Sequence, residues 1–561
     1  MIAYGAVAAR PMGNQLERNS GTGKWYHFAS MKGLPAETDF VIVGAGVAGL
    51  RAAIELAAAG RVLVLSKGDL PFSAHALGAH ASSAPHATDA NDASLGDEDE
   101  IGLHMQDTIA VGDGLCNAAA VKILQEEGVL RIEELIGWGG PEGRKAPRLE
   151  FMHVGAQGHT HILRAQGDSA GTAVLRALLA KATSLKNVSL ARFVFTTELL
   201  SDGGRVNGIA VLDEKGVPQE ISCSAVLLST GGLGQLYRTT TNPATATGDG
   251  VALGWRAGAE AGDMEFVHFC PAALYVKKAP HFSLSEGLRA EGAHLRNFEL
   301  NRFMGKYHPL GELAPRAAVA RAIVHEMEVS RVKDPFVYMD FTHLDEAKAQ
   351  KRFPRIYATC MQHNIDITED LVPVRPAALF AVGGVRTDLD GKTNVPGLYA
   401  AGEAAVNGVH GANRLHGNSL LEGLVYGARA GVAMRQELRP PSRAAGPAKA
   451  AYSNGPVDTG VEELIAQIQD LMWNEVGLVR TRLGIQKAIK TLEEMAGRLT
   501  NPKTRRRHEA ANLHTAALLV ARSALAREES RGAHYRVDYP DHDDRKFLKH
   551  SVVRNDKVIF V

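Results

Sequence analysis

Gly44, Gly46 and Gly49 follow the β-branched run Phe40-Val-Ile-Val43 and open an Ala/Leu-rich stretch that reaches Ala59. With a strand before it and a helix after it, this G-x-G-x-x-G spacing lets backbone N–H groups approach a pyrophosphate at the positive end of the helix. Ala45, Val47 and Ala48 complete the turn and share the expected contact. The plainer alternative is a glycine-rich turn without a ligand. The next apolar run, Arg61-Val-Leu-Val-Leu65, ends in Ser66-Lys67, where many such sites carry an acid for the ribose. That ending argues against a standard NAD site, although Ser66 can bond a hydroxyl and Lys67 can reach a phosphate. Two later strands also run into glycine: Ala225–Ser229 into Thr230-Gly231-Gly232, and Leu398–Ala401 into Gly402-Glu403. The Glu403 carboxylate suits a ribityl hydroxyl, and the three segments in this order point to FAD.

These strands are scattered along the chain, so the nucleotide-binding unit is predicted to be discontinuous. The expected fold is α/β: a Rossmann-like FAD-binding domain at 38–262 and 371–438, an inserted α+β capping domain at 263–370, and a C-terminal helical bundle at 457–561. A loose extension occupies 1–37, and the Pro/Gly/Ala-rich stretch 439–456 reads as a linker. In the C-terminal part Leu464, Ile465, Ile468, Leu471 and Met472, then Ile489, Leu492 and Met495, keep helical spacing. The Arg505-Arg506-Arg507 cluster there reads as a solvated helix end.

The chain has 561 residues, 45% of them hydrophobic, which suits two or three domains of about 100–200 residues each. Lys plus Arg equals Asp plus Glu at 62 each, so no net field draws nucleic acid or an anionic membrane. No run approaches the ~18 apolar residues that span a bilayer. Cys116, Cys223, Cys270 and Cys360 are far apart and form no CxxC, which disfavours a metal or iron–sulfur centre and fits a reducing cytoplasm.

These motifs, together with Thr247-Gly-Asp-Gly250, Glu312-Leu-Ala-Pro-Arg316, His410-Gly-Ala-Asn-Arg-Leu415, Asn418-Ser-Leu-Leu421 and Glu529-Ser-Arg-Gly532, resemble the succinate dehydrogenase/fumarate reductase flavoprotein superfamily over roughly residues 39–550. Within it, Ser66-Lys67, Arg355–Cys360 and Ile365–Thr368 look like the L-aspartate oxidase branch, whereas Gly417-Asn-Ser-Leu and Leu548-Lys-His550 lean toward the dehydrogenases. The resemblance implies FAD contacts at Thr230, Gly231, Gly232, Asp249, Glu403, Asn418, Ser419 and Leu420 besides the first turn. It implies a carboxylate clamp at Arg414, proton exchange with substrate at Arg316, and a relay through Glu286 and Arg289. Read without the family, Glu286 and Arg289 are an i, i+3 ion pair. Ala74 falls where the dehydrogenases join flavin to histidine, with His75 beside it, so the FAD is expected to be non-covalent.

The departures gather at the substrate. The family's His-Pro-Thr is Cys270-Pro271-Ala272 here, its later histidine falls on Leu379, and the aspartate oxidase glutamate falls on Ala156. The usual Gln-Gly-Gly beside the flavin is Leu77-Gly-Ala-His-Ala81. Ser285 can replace a family threonine hydroxyl, and His268, His159 and His161 stand near enough in sequence to refill the site, although each can equally be an ordinary core or surface residue. The leading expectation is oxidation of L-aspartate to iminoaspartate, a step of NAD biosynthesis, with an altered substrate site and oxygen or fumarate reoxidising the flavin. The alternatives are a diverged relative acting on a less polar carboxylic or amino acid, a fumarate reductase or succinate dehydrogenase-type flavoprotein whose iron–sulfur relay sits on another polypeptide, and a non-catalytic flavin-binding protein.

Overall fold

The computed structural model describes residues 33–69, 82–83, 98–138, 149–152, 162–165, 170–277, 279–439 and 459–561. Pro35–Val561 forms one compact unit. The expected extension 1–37 lies outside the described residues up to 32. So do Ala74, His75, Leu77–Ala81, Ala156, His159 and His161, and the linker beyond Arg439.

Phe40–Val43, Val62–Leu65 and Ala225–Leu228 are short runs of branched apolar residues, buried at every position. Burial on both faces is what strands of a parallel sheet require. They form a five-stranded parallel sheet whose order is Leu398–Ala400, Ala225–Leu228, Phe40–Val43, Val62–Leu65 and Val188–Ala191. Helix Val47–Leu56 leaves the first strand through the glycine turn and packs on helix Asn418–Met434. Gly423, Gly427 and Gly431 make this contact close: a Cβ on Gly427 would lie 2.5 Å from the Ala48 carbonyl oxygen.

The inserted region is built on an antiparallel sheet in the order Phe282–Ser283, Val267–Leu274, Val372–Ala381, Val337–Asp340 and His294–Arg296, with helix Arg316–Val329 against it. Its core includes Leu288, Leu295, Phe303, Ile323, Phe341 and Val374. Within it lie strand Val337–Asp340 and helices Arg316–Val329 and Pro354–Met361, the mixture of strand and helix expected of this region. One boundary moves. Val372–Ala381 pairs with Val267–Leu274, so the chain stays in this sheet beyond residue 370, because the long apolar strand is buried between two partners there.

Helices Thr459–Glu475, Arg482–Met495 and Arg505–Ala526 bury Leu464, Ile465, Ile468, Met472 and Leu492 together, with Leu471, Ile489 and Met495 partly buried beside them. The C-terminal part is helical as expected, and a short hairpin follows its helices. Ser551–Arg554 and Lys557–Phe560 form a hairpin that extends a third sheet through Ala261–Gly262, with the consecutive Val552 and Val553 both fully buried there. The basic turn at 505–507 opens a helix: Arg506 pairs with Glu462 at 2.6 Å and with Glu509 at 3.0 Å, and Arg505 with Glu509 at 3.3 Å.

Among the described residues no helix is long and apolar enough to cross a membrane.

Candidate active site

A cleft runs along the C-terminal ends of the parallel strands, with about 1180 Å³ of empty space, part of it open to solvent. Gly44–Ala48, Ser66, Lys67, Thr230–Gly232, Asp249, Glu403, Ser419 and Leu420 all line it. These ends are where parallel α/β sheets bind ligands. Helices Val47–Leu56 and Asn418–Met434 both begin there, after Gly46 and Gly417, and neither has a side-chain cap. Two helix starts whose first N–H groups lack a side-chain acceptor fit an anionic dinucleotide.

Three of the expected contacts take a different form. Gly49 does not line the cleft; it packs on the turn, and a Cβ there would lie 2.0 Å from the Gly44 carbonyl oxygen. The Lys67 ammonium is held inside the protein, 2.6 Å from Asp249, 2.5 Å from the Thr247 hydroxyl and 3.3 Å from Glu509. Burial would raise the Asp249 carboxyl, but Lys67, Asn512 and Thr247 outweigh it and hold the pKa below the ordinary range. Asn418 is not among the lining residues. Its side chain is fully buried between His104 Nε2 at 2.9 Å and the Thr108 hydroxyl at 3.1 Å. Glu403 faces the cleft while one oxygen accepts the Ala381 N–H at 2.9 Å, and Ser66 donates to the Gly68 carbonyl at 3.0 Å.

Beyond Phe380, which also lines the cleft, four charged side chains converge. Arg316, at the first position of its helix, places Nε 2.6 Å from Glu286 and Nη2 3.4 Å from His416 Nδ1. Its Nη1 is buried with no hydrogen-bond partner. Glu286 lies 3.8 Å from Arg289, just ahead of the single turn Gly287–Ala290, so its closer bond is to Arg316 and the i, i+3 pair is only part of its role. Arg289 donates to the Glu312 carbonyl at 2.5 Å, and burial lowers its pKa. Burial also opposes ionisation of Glu286, but Arg316 and Arg289 prevail and bring its pKa down to about 2.

Arg414 lies over the Phe380 ring at 4.5 Å and donates to Ser419 at 3.2 Å; its Nε is buried without a partner. Burial first, then the charge of Arg316, brings its pKa down to about 10, so it stays cationic at neutral pH. His268 accepts the Arg414 backbone N–H at Nε2, 3.0 Å away, and meets the Asn413 amide there. Burial and the two arginines push its pKa well below the ordinary histidine value. It is a neutral imidazole whose buried Nδ1 has no partner. Cys270 Sγ is turned to the Ser283 hydroxyl at 3.1 Å and the Ala272 carbonyl at 3.3 Å, and burial pushes its thiol pKa up. Ser285 accepts the Gly287 N–H at 3.2 Å, and Leu379 packs beside Phe380 and Ala412.

The model of an FAD binding domain matches residues 39–420, and that of the fumarate reductase flavoprotein C-terminus matches 465–559. L-aspartate oxidase 1 of Ralstonia nicotianae is 40% identical over 525 residues, covering 90% of this chain and 95% of that protein. The chain belongs to the L-aspartate oxidase family. Among solved structures, a quinol-fumarate reductase solved with menaquinol superposes with a TM-score of 0.81 at 28% identity, covering 93% of this chain and 97% of that one. Mycobacterium smegmatis Sdh1 superposes at 0.80 and 30% identity, covering 94% of each. The protein is an FAD-dependent oxidoreductase of the succinate dehydrogenase/fumarate reductase flavoprotein superfamily, and FAD is its cofactor.

Sequence reasoning singled out Arg316, Glu286, Arg289 and Arg414, which the fold brings together. It did not find His416, which carries no pattern of its own beyond standing two residues after Arg414. The pair Glu286–Arg316 yields a prediction. Glu286→Gln keeps the shape but removes the charge that orients Arg316, so flavin reduction should slow roughly 100-fold with FAD still bound. Because the folded pKa of Glu286 is depressed to about 2, its contribution to stability is present above the ordinary carboxylate value and lost as pH falls through about 2. An acid limb in the stopped-flow rate near neutral pH therefore belongs to another group, and its persistence in Glu286→Gln would check this.

Proposed function

We propose that this protein oxidises L-aspartate to iminoaspartate, with FAD bound non-covalently in the cleft and oxygen or fumarate as the final acceptor. The parallel sheet serves as a Rossmann-like FAD-binding domain and the inserted antiparallel sheet with its helices as the capping domain. The observation that carries the reading is the cluster of buried donors without partners, Arg316 Nη1, Arg414 Nε and His268 Nδ1, beside the ionised Glu286. Buried donors of this kind are costly unless a ligand completes them, and an anionic substrate does so.

Gly44–Ala48, Thr230–Gly232, Ser419 and Leu420 would hold the dinucleotide, with Glu403 toward the ribityl chain. FAD supplies the hydride acceptor. Arg414 binds a substrate carboxylate, its planar fork fixing the orientation that hydride transfer needs. Arg316 handles the proton, kept in place by Glu286, which Arg289 holds in turn. Phe380 packs under the Arg414 guanidinium and limits its swing. Cys270, Ala272 and Leu379 offer no charged contact, and each lost hydrogen bond to a charged group costs about 1.5–3 kcal/mol. Aspartate is therefore expected to bind weakly, with His268 replacing part of what is missing. We place the enzyme in the cytoplasm, supplying NAD biosynthesis without an iron–sulfur partner subunit.

Anaerobic mixing of the holoenzyme with millimolar L-aspartate should bleach the oxidised flavin band. No bleaching with aspartate, together with reoxidation of the reduced enzyme by 2-enoates of monocarboxylic acids, would overturn the reading in favour of a less polar substrate.

A further inference from the structure

We propose that the turn at 529–533, near the end of the chain, positions Arg414 for substrate; the inference rests on the reading of Arg414 as the group that binds a substrate carboxylate. None of the residues of this turn lines the cofactor cleft. Arg414 stands on a loop, so its guanidinium is only as well placed as the loop's backbone. The Asn413 N–H closes a turn on the His410 carbonyl at 3.1 Å, and Ala412 lies inside it. Both backbone polar groups of Ala412 are taken by distant parts of the chain: its N–H donates to the Gly112 carbonyl at 2.9 Å, and its carbonyl accepts the Ala533 N–H at 3.0 Å. The loop is thus held from two sides, by the turn that follows helix Glu98–Val111 and by the turn at 529–533. Only glycine fits at each junction. Gly411 and Gly532 have φ of +55° and +53°; a Cβ on Gly411 would lie 2.4 Å from the Gly112 carbonyl oxygen, and one on Gly532 2.3 Å from the Ala412 carbonyl oxygen.

The two holding turns are tied to each other by Arg531. Glu529 is fully buried and accepts Arg531 through both oxygens, at 2.8 Å from Nε and 3.0 Å from Nη2, and also accepts Arg527 at 2.8 Å. A bidentate pair of this kind fixes the plane of the guanidinium. The third nitrogen of Arg531, Nη1, donates to the Asp113 carbonyl at 2.8 Å, while the Asp113 carboxylate accepts the Gly532 N–H at 2.8 Å and meets His542 Nε2 at 3.0 Å. Arg531 and Gly532 therefore clasp one residue, Asp113, whose neighbour Gly112 holds Ala412. Ala412 also packs in one cluster with Phe380, Leu115 and Phe266, and Phe380 is the ring 4.5 Å beneath the Arg414 guanidinium. A displacement of Ala412 reaches Arg414 by two routes, along the loop and through that ring. An error of about 1 Å in the placement of a substrate-binding group can cost about 100-fold in rate, so a turn remote from the chemistry can govern it.

The test uses Gly532→Ala, whose methyl group would press on the Ala412 carbonyl, and Asp113→Gly, which removes the carboxylate clasp at a residue whose φ of +53° suits glycine. Both holoenzymes are titrated with malonate, a dicarboxylate that the flavin does not oxidise, and binding is read from the change in the oxidised flavin spectrum. The malonate Kd should rise about tenfold in Gly532→Ala and about threefold in Asp113→Gly, with FAD content per chain unchanged. A double-mutant cycle separates positioning from a general loosening of the fold. If the turn acts through Arg414, adding Gly532→Ala to Arg414→Lys changes the malonate Kd by less than about twofold. Additive losses in the double variant, or a wild-type Kd in both single variants, overturn the proposal. Should Gly532→Ala fail to fold, Asp113→Gly and its double variant with Arg414→Lys decide in the same way. A crystal structure of the single-variant holoenzyme should show the Arg414 guanidinium displaced from the Phe380 ring, and an unmoved guanidinium overturns the proposal even where no ligand binds. A wild-type enzyme that binds malonate but keeps its flavin oxidised in the presence of aspartate defeats the substrate reading alone.

Discussion

Arg316→Leu is expected to lower the rate of flavin reduction by aspartate roughly 10⁴-fold while FAD stays bound. The two effects separate because Arg316 does not line the dinucleotide cleft, whereas Gly44–Ala48, Thr230–Gly232, Ser419 and Leu420 do. Leucine is a good helix former and Arg316 opens a helix that runs to Val329, so the backbone should persist. What disappears is one group whose Nε meets Glu286, whose Nη2 meets His416 and whose Nη1 is buried without a partner. Arg316→Lys keeps the charge but offers a single nitrogen on a flexible stem, and its loss should be nearly as large. Stopped-flow rates with flavin content per chain measure both terms. A rate within tenfold of wild type in Arg316→Leu would remove Arg316 from the proton path.

The cofactor end was legible because it is written in local sequence. Phe40–Val43, Val62–Leu65 and Ala225–Leu228 are continuous apolar runs, each followed by glycine or a short polar residue, and such runs are strands buried on both faces. The antiparallel partners of Val372–Ala381 were harder to place, since pairing with a strand about a hundred residues away leaves no mark on either segment. The hairpin at 551–560 is local, turned by Asn555 and Asp556 with positive φ, but the strand it docks on, Ala261–Gly262, is far earlier in the chain. Asn418 shows the limit for side chains: its motif pointed to the cofactor, but its amide is used on His104 and Thr108, more than 300 positions earlier. At the substrate end the motif arginines were readable by resemblance. Of the two imidazoles that accompany them, His268 was a candidate and His416 was missed, because a lone histidine acquires meaning only from neighbours such as Arg316 and Arg414.

Gly44→Ala should yield protein that purifies without FAD, and the comparison with Gly231→Ala shows why. Both glycines line the cleft and both have positive φ, +114° at Gly44 and +76° at Gly231. Adding a Cβ in such a conformation costs an L-residue about 1–2 kcal/mol at either position. Only Gly44 also meets a steric barrier. Its Cβ would lie 2.1 Å from the Ser229 carbonyl oxygen and 2.5 Å from the carbonyl carbon, whereas nothing lies within 4 Å at Gly231. The obstacle is backbone at the end of a central strand, held by the Ser229 N–H bond to the Val43 carbonyl at 2.9 Å, so it cannot rotate away as a side chain would. The turn must open, and with it the N–H groups at the start of helix Val47–Leu56 leave the position that suits a pyrophosphate. Gly231→Ala should keep FAD with affinity weakened about tenfold, which matches the conformational cost alone. Flavin absorbance per chain after purification, followed by titration of the apoprotein with FAD, measures both. Stoichiometric FAD in Gly44→Ala would mean that the first glycine turn does not carry the cofactor's phosphates.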